Sequence, residues 1–476
     1  VTDLTDLTDP DVRAAVADRL GAELWGGRPV VLGPYVLAGA TPYVGWLRGL
    51  GCPVLVVATT GGAGEVPADD TCEVRWLTPP ATATMTDELR LHDHLAHHLP
   101  AELRAAVDAF DPDRRGAWWA TPFVTSDEPI DGRPVTGGRP GAFVALEDKM
   151  RADALWEAAG VTGPAHELVD LADDAALRAA AEDLAGPLGT VWSGDARDGF
   201  NGGGNYVRWV RDDADRAEAL AWFRPRCDRV RIAPFLDGVP CSIHGFVLPD
   251  GTAALRPVEI AVLRDPGTRT FRYCGLGTTW DPPDADRAEM RAAVHRVGAH
   301  LQRVHGYRGA FGIDGVLTAD GFRPTELNSR MSAGASTVAE LDRRFFAFLQ
   351  AALLAGHDTG LTVDDVEALV PAMDAQRSGK VVCVGEGGVG TAAQSHPLAW
   401  DGTDFSRSEV DTGNAFSIGA TPSGSYARVE PCAALRPGER LAPVTAALLR
   451  YVERTCGAGT AVAGAFEPAP DVRVPA

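Results

Sequence analysis

The chain has 476 residues, enough for two or three domains rather than one. Apolar residues make up 45% and charged residues 23%, the balance of a globular protein with a buried core. The formal net charge of −21, from 65 acidic against 44 basic residues, argues against sequence-independent nucleic-acid binding, which needs a basic surface, but leaves room for a local basic pocket around phosphate.

Residues 1 to about 125 alternate short apolar runs with helical patterns. Thr8-Asp9-Pro10 caps a helix expected to reach Leu24. Arg28 to Gly33 reads as a strand, Thr41 to Leu50 as a helix, and Pro53 to Ala58 and Cys72 to Leu77 as two further strands. Asp87 to Phe110 is helical with a break near Pro100, and Ala117 to Val124 is a fourth strand. This alternation predicts an open α/β sheet, ended by the Gly- and Pro-rich stretch Ser126 to Gly141.

From Ala142 the pattern becomes α+β. Helices are expected over Leu146 to Ala159 and Asp173 to Leu184, then strands at Thr190 to Ser193 and Asn205 to Val210 flanking a glycine-rich loop. Strands recur at Val230 to Leu236, Ser242 to Leu248, Ala253 to Leu263 and Arg269 to Gly275. Met290, Val294, Val297, Leu301 and Val304 mark one face of an amphipathic helix. Gly309 to Thr318 and Phe322 to Asn328 form a hairpin around Ala319-Asp320-Gly321. A helix from Thr337 to Ala355 and a short one from Val363 follow. Residues 379–476 read as a small β-rich unit (Lys380 to Val384, Ala415 to Gly419, Tyr426 to Pro431) closed by a helix, Pro443 to Cys456, with a frayed tail from Phe466. The expected domains are therefore 1–140, 141–360 and 361–476.

No run of 18 apolar residues occurs, and the first ten residues lack a basic region followed by an apolar core. No membrane span and no signal peptide are expected, and the expected location is the cytoplasm. The eight cysteines are scattered without a CxxC pair and are expected to be reduced and mostly buried. Only two basic residues are lysines, Lys149 and Lys380, which singles both out in a chain that otherwise uses arginine.

The chemistry concentrates between Asp314 and Arg330. Asp314 lies on one strand of the hairpin, and Glu326 and Asn328 lie two apart on the next, so both point to one face. Two carboxylates and an amide oxygen suit magnesium, which takes hard oxygen ligands and shares them with phosphate. Arg330 continues the alternation and adds a fixed positive charge. The small-residue run Ser332-Ala-Gly334-Ala-Ser336 opens the next helix.

On Asp314, Glu326, Asn328 and Arg330 the sequence resembles the ATP-grasp carboxylate–amine ligases, and the resemblance extends over residues 140–340. It implies an ATP-grasp fold of mixed α/β and α+β class, with an N-terminal α/β (pre-ATP-grasp) domain over 1–140, the ATP-grasp lobes over 141–360 and a small β-rich C-terminal appendage over 361–476. It implies ATP and two Mg2+ ions as cofactors, the metals held by Asp314, Glu326 and Asn328. Lys149 stands where the family has a lysine that reaches the nucleotide phosphates, and Lys149 and Arg330 are the implied catalytic cations.

The loop Gly199-Phe-Asn-Gly-Gly-Gly-Asn205, with Gly202, Gly203, Gly204 and Asn205, corresponds to the family's phosphate-covering loop. Arg231-Ile-Ala-Pro-Phe-Leu-Asp-Gly238 corresponds to the hinge that reads adenine through the backbone of Pro234, Phe235 and Leu236. Two positions depart from the pattern. The second phosphate lysine is replaced within Val191-Trp-Ser193, so Ser193 borders the nucleotide and Arg197 or Arg208 is expected to supply the charge; the acidic ribose contact falls on Pro240.

The α/β N-terminal unit, Trp192-Ser-Gly-Asp195, the Glu326 to Gly334 run and the C-terminal appendage are similar to peptide ligases of bacterial natural-product biosynthesis, of the pheganomycin type. This implies a small-molecule carboxylate donor, with a guanidino-bearing nonproteinogenic amino acid as one candidate, and a peptide or amino-acid amine as acceptor. Expected substrate contacts are Glu259 or Asp265 for a cationic donor, Arg256 or Arg264 for a carboxylate, and Ser332, while Lys380 and Glu386 beside the turn at Gly385 to Gly390 give that turn a route to substrate; a homodimer is the default assembly. Two rival readings are another ATP-grasp ligase or carboxylase acting on small molecules, and a nucleotide-binding regulator with a degenerate site. Gly385-Glu-Gly387-Gly-Val-Gly390 fits GxGxxG, but no helix follows it, so a turn is expected there rather than a dinucleotide site.

Overall fold

The structure, a computed structural model, describes residues 6–202, 204–386, 392–456 and 465–473. The first unit is a five-stranded parallel sheet containing Val30–Val36 between Val54–Thr60 and Ala117–Trp119. Asp9 caps the opening helix Pro10–Leu24 by accepting from the Asp11 amide, with Pro10 at the first helical position. The expected break at Pro100 separates two helices, Met85–His97 and Ala101–Phe110. Pro100 has an extended ψ of 148°, which no helix tolerates.

The second unit is a four-stranded antiparallel sheet over Glu167–Asp170, Arg229–Pro234, Thr190–Gly194 and Val207–Val210. It carries a helix absent from the sequence reading, Asp213–Phe223, capped by the Asp212 carboxylate. Strand Glu167–Asp170 was likewise not expected.

The third layer is an antiparallel sheet of eleven strands, built around Val239–Leu248, Gly251–Asp265, Thr270–Gly277, Gly309–Thr318 and Gly321–Asn328. The C-terminal strands do not form a sheet of their own. Gly379–Glu386 pairs with Thr270–Gly277 and with Gly424–Cys432, so the C-terminal strands continue the large sheet. The predicted helix over Thr337 to Ala355 is broken: Ala333–Val338 and Arg343–Ala355 flank a turn where the Asp342 carboxylate caps the second helix.

One hydrophobic core joins the N-terminal helices to Phe345, Phe346, Phe348 and Leu349, and a second lies beneath the long helix Asp284–His305. The boundaries drawn at 140 and 360 thus mark chain segments that share cores and a sheet. Among the described residues no helix is long and apolar enough to cross a membrane, and all eight cysteines are free.

Candidate active site

The hairpin sets Asp314 directly opposite Glu326 and Gly312 opposite Asn328, with a register shift just after Asp314. Asn328 Nδ2 donates to Asp314 Oδ2 at 2.9 Å, and Ser242 is the register partner of Asp314 on its other side. The Lys149 ammonium, at the start of helix Lys149–Ala158, forms an ion pair with Glu326. The predicted set Lys149, Asp314, Glu326 and Asn328 therefore meets at one point.

Burial, and then the facing Glu326 carboxylate, push Asp314 up to about 6; the hydrogen bonds from Ser242 and Asn328 oppose the rise. Two opposed carboxylates, of which only Glu326 is paired with a lysine, form a spot that favours an added cation. Their oxygens, with the Asn328 amide turned to present its own, fit the hard donor set that magnesium takes. Among the described residues no group of three or more His, Cys, Asp or Glu side chains could hold a metal. A magnesium ion here would complete its shell with phosphate and water oxygens.

Arg330 is held by a residue the sequence reading passed over. Glu147, two positions before Lys149, is buried and ion-pairs with both Arg139 and Arg330, while the Ser329 amide donates to it at 3.0 Å. Burial works to raise Glu147, but the two guanidinium groups override it and hold the carboxyl below its ordinary value. Arg330 also lies over the Phe123 ring at 5.1 Å from its centroid, which fixes the guanidinium against the N-terminal unit.

These residues line one cavity of about 740 Å³ between the two antiparallel sheets. The same cavity takes in Ser193, Gly202, Gly204 and the hinge Pro234, Phe235 and Leu236. Phe235 packs on Trp209 at 4.7 Å and lies 6.1 Å from Phe271, an aromatic wall suited to a flat base. Pro240 borders the cavity where an acidic ribose contact would stand.

The expected replacement cations are not there. Arg197 is occupied by Asp198 and Asp228, and Arg208 lies over the Trp222 ring at 4.1 Å; neither lines the cavity. The cation beside Ser193 is Arg231, its register partner on the adjacent strand, which lines the cavity while chelated by Asp153 at 2.5 and 2.7 Å.

Gly203 lies outside the described residues. The rest of the glycine loop is clasped from outside by helix Met85–His97, which no local pattern announces. Arg90 donates to the carbonyls of Phe200 (3.0 Å) and Gly199 (3.1 Å) and to the Asn201 side chain (2.8 Å). The Thr86 hydroxyl donates to the Gly202 carbonyl at 2.8 Å, and Asn205 Oδ1 accepts from the Thr86 amide at 3.2 Å, so Asn205 anchors the loop and does not line the cavity. Arg90→Ala should raise the rate of limited proteolysis within residues 199–205 roughly tenfold, the effect of about 1.4 kcal/mol on local opening. Cleavage sites read by mass spectrometry check this.

Two expected substrate contacts are corrected. Arg256 is fully buried and ion-pairs with Asp281 (2.8 Å) and Asp374 (3.4 Å). Glu259 is fully buried and accepts from Arg440 and from the Leu441 and Ala442 amides, capping the last helix, Leu441–Cys456. Neither lines the cavity. Asp265 accepts from the Gly267 and Thr268 amides in a turn.

Arg264 does line the cavity, braced by Asp237 and Glu467. Ser332 lines it too, but its hydroxyl meets His244 Nε2 at 3.0 Å and caps the short helix Ala333–Val338. His244, another residue the sequence reading missed, also meets Ser242 at 3.1 Å; burial pushes it down to about 3, so it is a neutral bridge between the strand and the capping serine. Gly387 to Gly390 of the GxGxxG segment lie outside the described residues. The strand before them pairs antiparallel on both sides, unlike the parallel sheet a dinucleotide motif needs.

No family model matches the sequence, and no curated protein does. Solved structures do match. The carboxyaminoimidazole ribonucleotide synthase of Aspergillus clavatus complexed with ATP is 14% identical, with 90% of this chain and 98% of that one covered and a TM-score of 0.51. The biotin carboxylase domain of the Hydrogenobacter thermophilus 2-oxoglutarate carboxylase, solved with MgADP, ADP and bicarbonate, is 13% identical over 85% and 86%, with a TM-score of 0.52. The phosphoribosylamine–glycine ligase of Thermotoga maritima is 16% identical over 84% and 90%, with a TM-score of 0.50. The fold is the ATP-grasp fold. At these identities the likeness is one of architecture.

Proposed function

We propose that this chain is an ATP- and magnesium-dependent carboxylate–amine ligase acting on a peptide or amino-acid amine. The observation that carries the reading is the meeting of Asp314, Glu326, Asn328, Lys149 and Arg330 in one cleft, beside the glycine loop and the hinge. In the reaction, the γ-phosphoryl group of ATP passes to an oxygen of the donor carboxylate and ADP leaves. The amine nitrogen then attacks the acyl carbon, phosphate departs, and the amine proton is released.

Phosphoryl transfer asks for positioning and charge neutralisation more than for a nucleophilic side chain. Lys149 sits close enough to Glu326 to bridge the carboxylate and a phosphate oxygen. Arg330, locked by Glu147 and Phe123, presents a fixed guanidinium to charge that develops on the transferring group. Magnesium, when held by Asp314, Glu326 and Asn328, supplies Lewis-acid neutralisation of the phosphates. The clasped glycine loop excludes water, which would otherwise hydrolyse the acyl phosphate.

The cavity also extends to Tyr35, Tyr43, Trp46 and Trp119 of the N-terminal unit, beyond the part the hinge and metal residues enclose. That room favours an organic acid over bicarbonate, and so a ligase over a carboxylase. A natural-product peptide ligase of the pheganomycin type is the finer reading, and the two similar structures named for carboxylation keep the carboxylase as its rival. A screen of acids against amines graded from free amino acids to pentapeptides, read by ADP release and product mass, separates them. Acyl–peptide products support the ligase; ADP release that depends on bicarbonate and yields no amide contradicts it.

A further inference from the structure

Lys380, one of the chain's two lysines, lies on strand Gly379–Glu386, well away from the phosphate end of the cleft. It borders the main cavity and also a second one of about 140 Å³, and Arg343 lines both. Around it stand two arginines and two carboxylates. Arg343 donates to Glu340 at 2.7 Å and reaches Glu430 at 3.4 Å, and Arg428 pairs with Glu430 at 2.8 Å. Each carboxylate is thus taken by an arginine, and among the described residues Lys380 has neither an ion pair nor a hydrogen bond. Burial, and then Arg343, push it down to about 8, which leaves it mostly charged at neutral pH.

Lys380 is part-buried, its neighbouring carboxylates are engaged by arginines, and a cation so placed on a cavity wall suits the anionic group of a ligand. The position says which ligand. Four strand spacings separate Lys380 from Asp314 across the large sheet, in the order Gly379–Glu386, Thr270–Gly277, Gly251–Asp265, Val239–Leu248, Gly309–Thr318. At about 4.8 Å each this is roughly 19 Å along the sheet. An extended peptide advances about 3.3–3.6 Å per residue, so about five to six residues cover that path.

We propose that Lys380 receives the C-terminal carboxylate of an extended peptide whose amino end lies at the metal and Arg330 end of the cleft. The proposal rests on the ligase reading for its peptide, and it makes Lys380 a substrate-binding residue that selects for length and for a free carboxyl end.

The test uses direct binding, which needs no turnover. Penta- and hexaalanine, each as free acid and as C-terminal amide, are titrated calorimetrically into the full chain and into Lys380→Met, alongside free alanine. The free acids of these two peptides should bind the native chain at least about tenfold more tightly than their amides, the effect of losing one charge-assisted contact. Lys380→Met should erase that difference and Lys380→Arg restore most of it, while alanine gains nothing from its carboxylate. Among the described residues the Lys380 side chain makes no ion pair or hydrogen bond that the fold depends on, so the melting temperature of Lys380→Met should stay within a few degrees of the native value, and the variant folds. Equal binding of acid and amide to the native chain, or no binding of either at millimolar concentration, overturns the proposal. If the difference stands while no acid and amine together produce ADP, the ligase reading fails and the carboxylate site survives.

Discussion

Glu326→Gln lowers amine-dependent ADP formation by two to three orders of magnitude while leaving the fold intact. The size follows from the several kcal/mol of charge stabilisation that a bound metal contributes to a transferring phosphoryl group, at about 1.4 kcal/mol per tenfold in rate. Glu326 stands opposite Asp314 and holds the Lys149 ammonium, so the substitution weakens the metal site and also frees the lysine. Glutamine keeps the shape, and the side chain faces the cavity rather than the core. The apparent melting temperature should therefore move by no more than a few degrees. Steady-state ADP release, run beside a melting curve, checks both halves. Turnover within threefold of the native chain would remove Glu326 from the site.

Asp314→Asn gives the opposite pairing of effects: activity is lost and the magnesium-free protein becomes more stable. Asp314 sits at about 6 in the folded chain, against about 3.9 for an unfolded aspartate. Between those values the folded state binds more protons than the unfolded one, so stability falls as pH rises from about 4 to about 6. Above that window the charged Asp314 and Glu326 face each other and the penalty is fully present. Asparagine removes it, and the apparent melting temperature at pH 7.5 without magnesium should rise by about 1–3 °C. Added magnesium should stabilise the native chain clearly at pH 7.5 and weakly at pH 5, and Asp314→Asn at neither. Melting curves at the two pH values, with and without magnesium, read this out. An equal magnesium shift in the variant would place the ion elsewhere.

The Asp314–Asn328 hairpin was legible because strand alternation alone puts Asp314, Glu326 and Asn328 on one face, and the turn Ala319-Asp320-Gly321 sets the pairing. Lys149 was legible through its rarity and its position. What holds these groups was not. Glu147 reads as one more charge in Leu-Glu-Asp-Lys until Arg139 and Arg330 converge on it from both sides. Arg90 and Thr86 reach a loop more than a hundred residues away, a contact that only tertiary structure makes.

Arg256 and Glu259 misled because charges in an apolar strand look functional. They are satisfied instead by Asp281 and Asp374, and by the amino end of a helix that starts at Leu441. Helix Asp213–Phe223 hid because only Ala219 and Phe223 of its residues are buried, which leaves no periodic apolar stripe to read. The C-terminal strands were recognisable as strands, but nothing local shows that Gly379–Glu386 takes Thr270–Gly277 as its neighbour. That pairing brings Lys380 into the cleft.

The central claim is that this cleft activates a carboxylate with ATP. Hydroxylamine tests it directly, because it traps an acyl phosphate as a stable hydroxamate. With ATP, magnesium, a panel of organic acids and hydroxylamine in place of the amine, hydroxamate should form in amounts equal to ADP. Both should need magnesium and both should disappear in Glu326→Gln. ADP released in full without any hydroxamate, or hydroxamate formed equally by Glu326→Gln, would contradict the account.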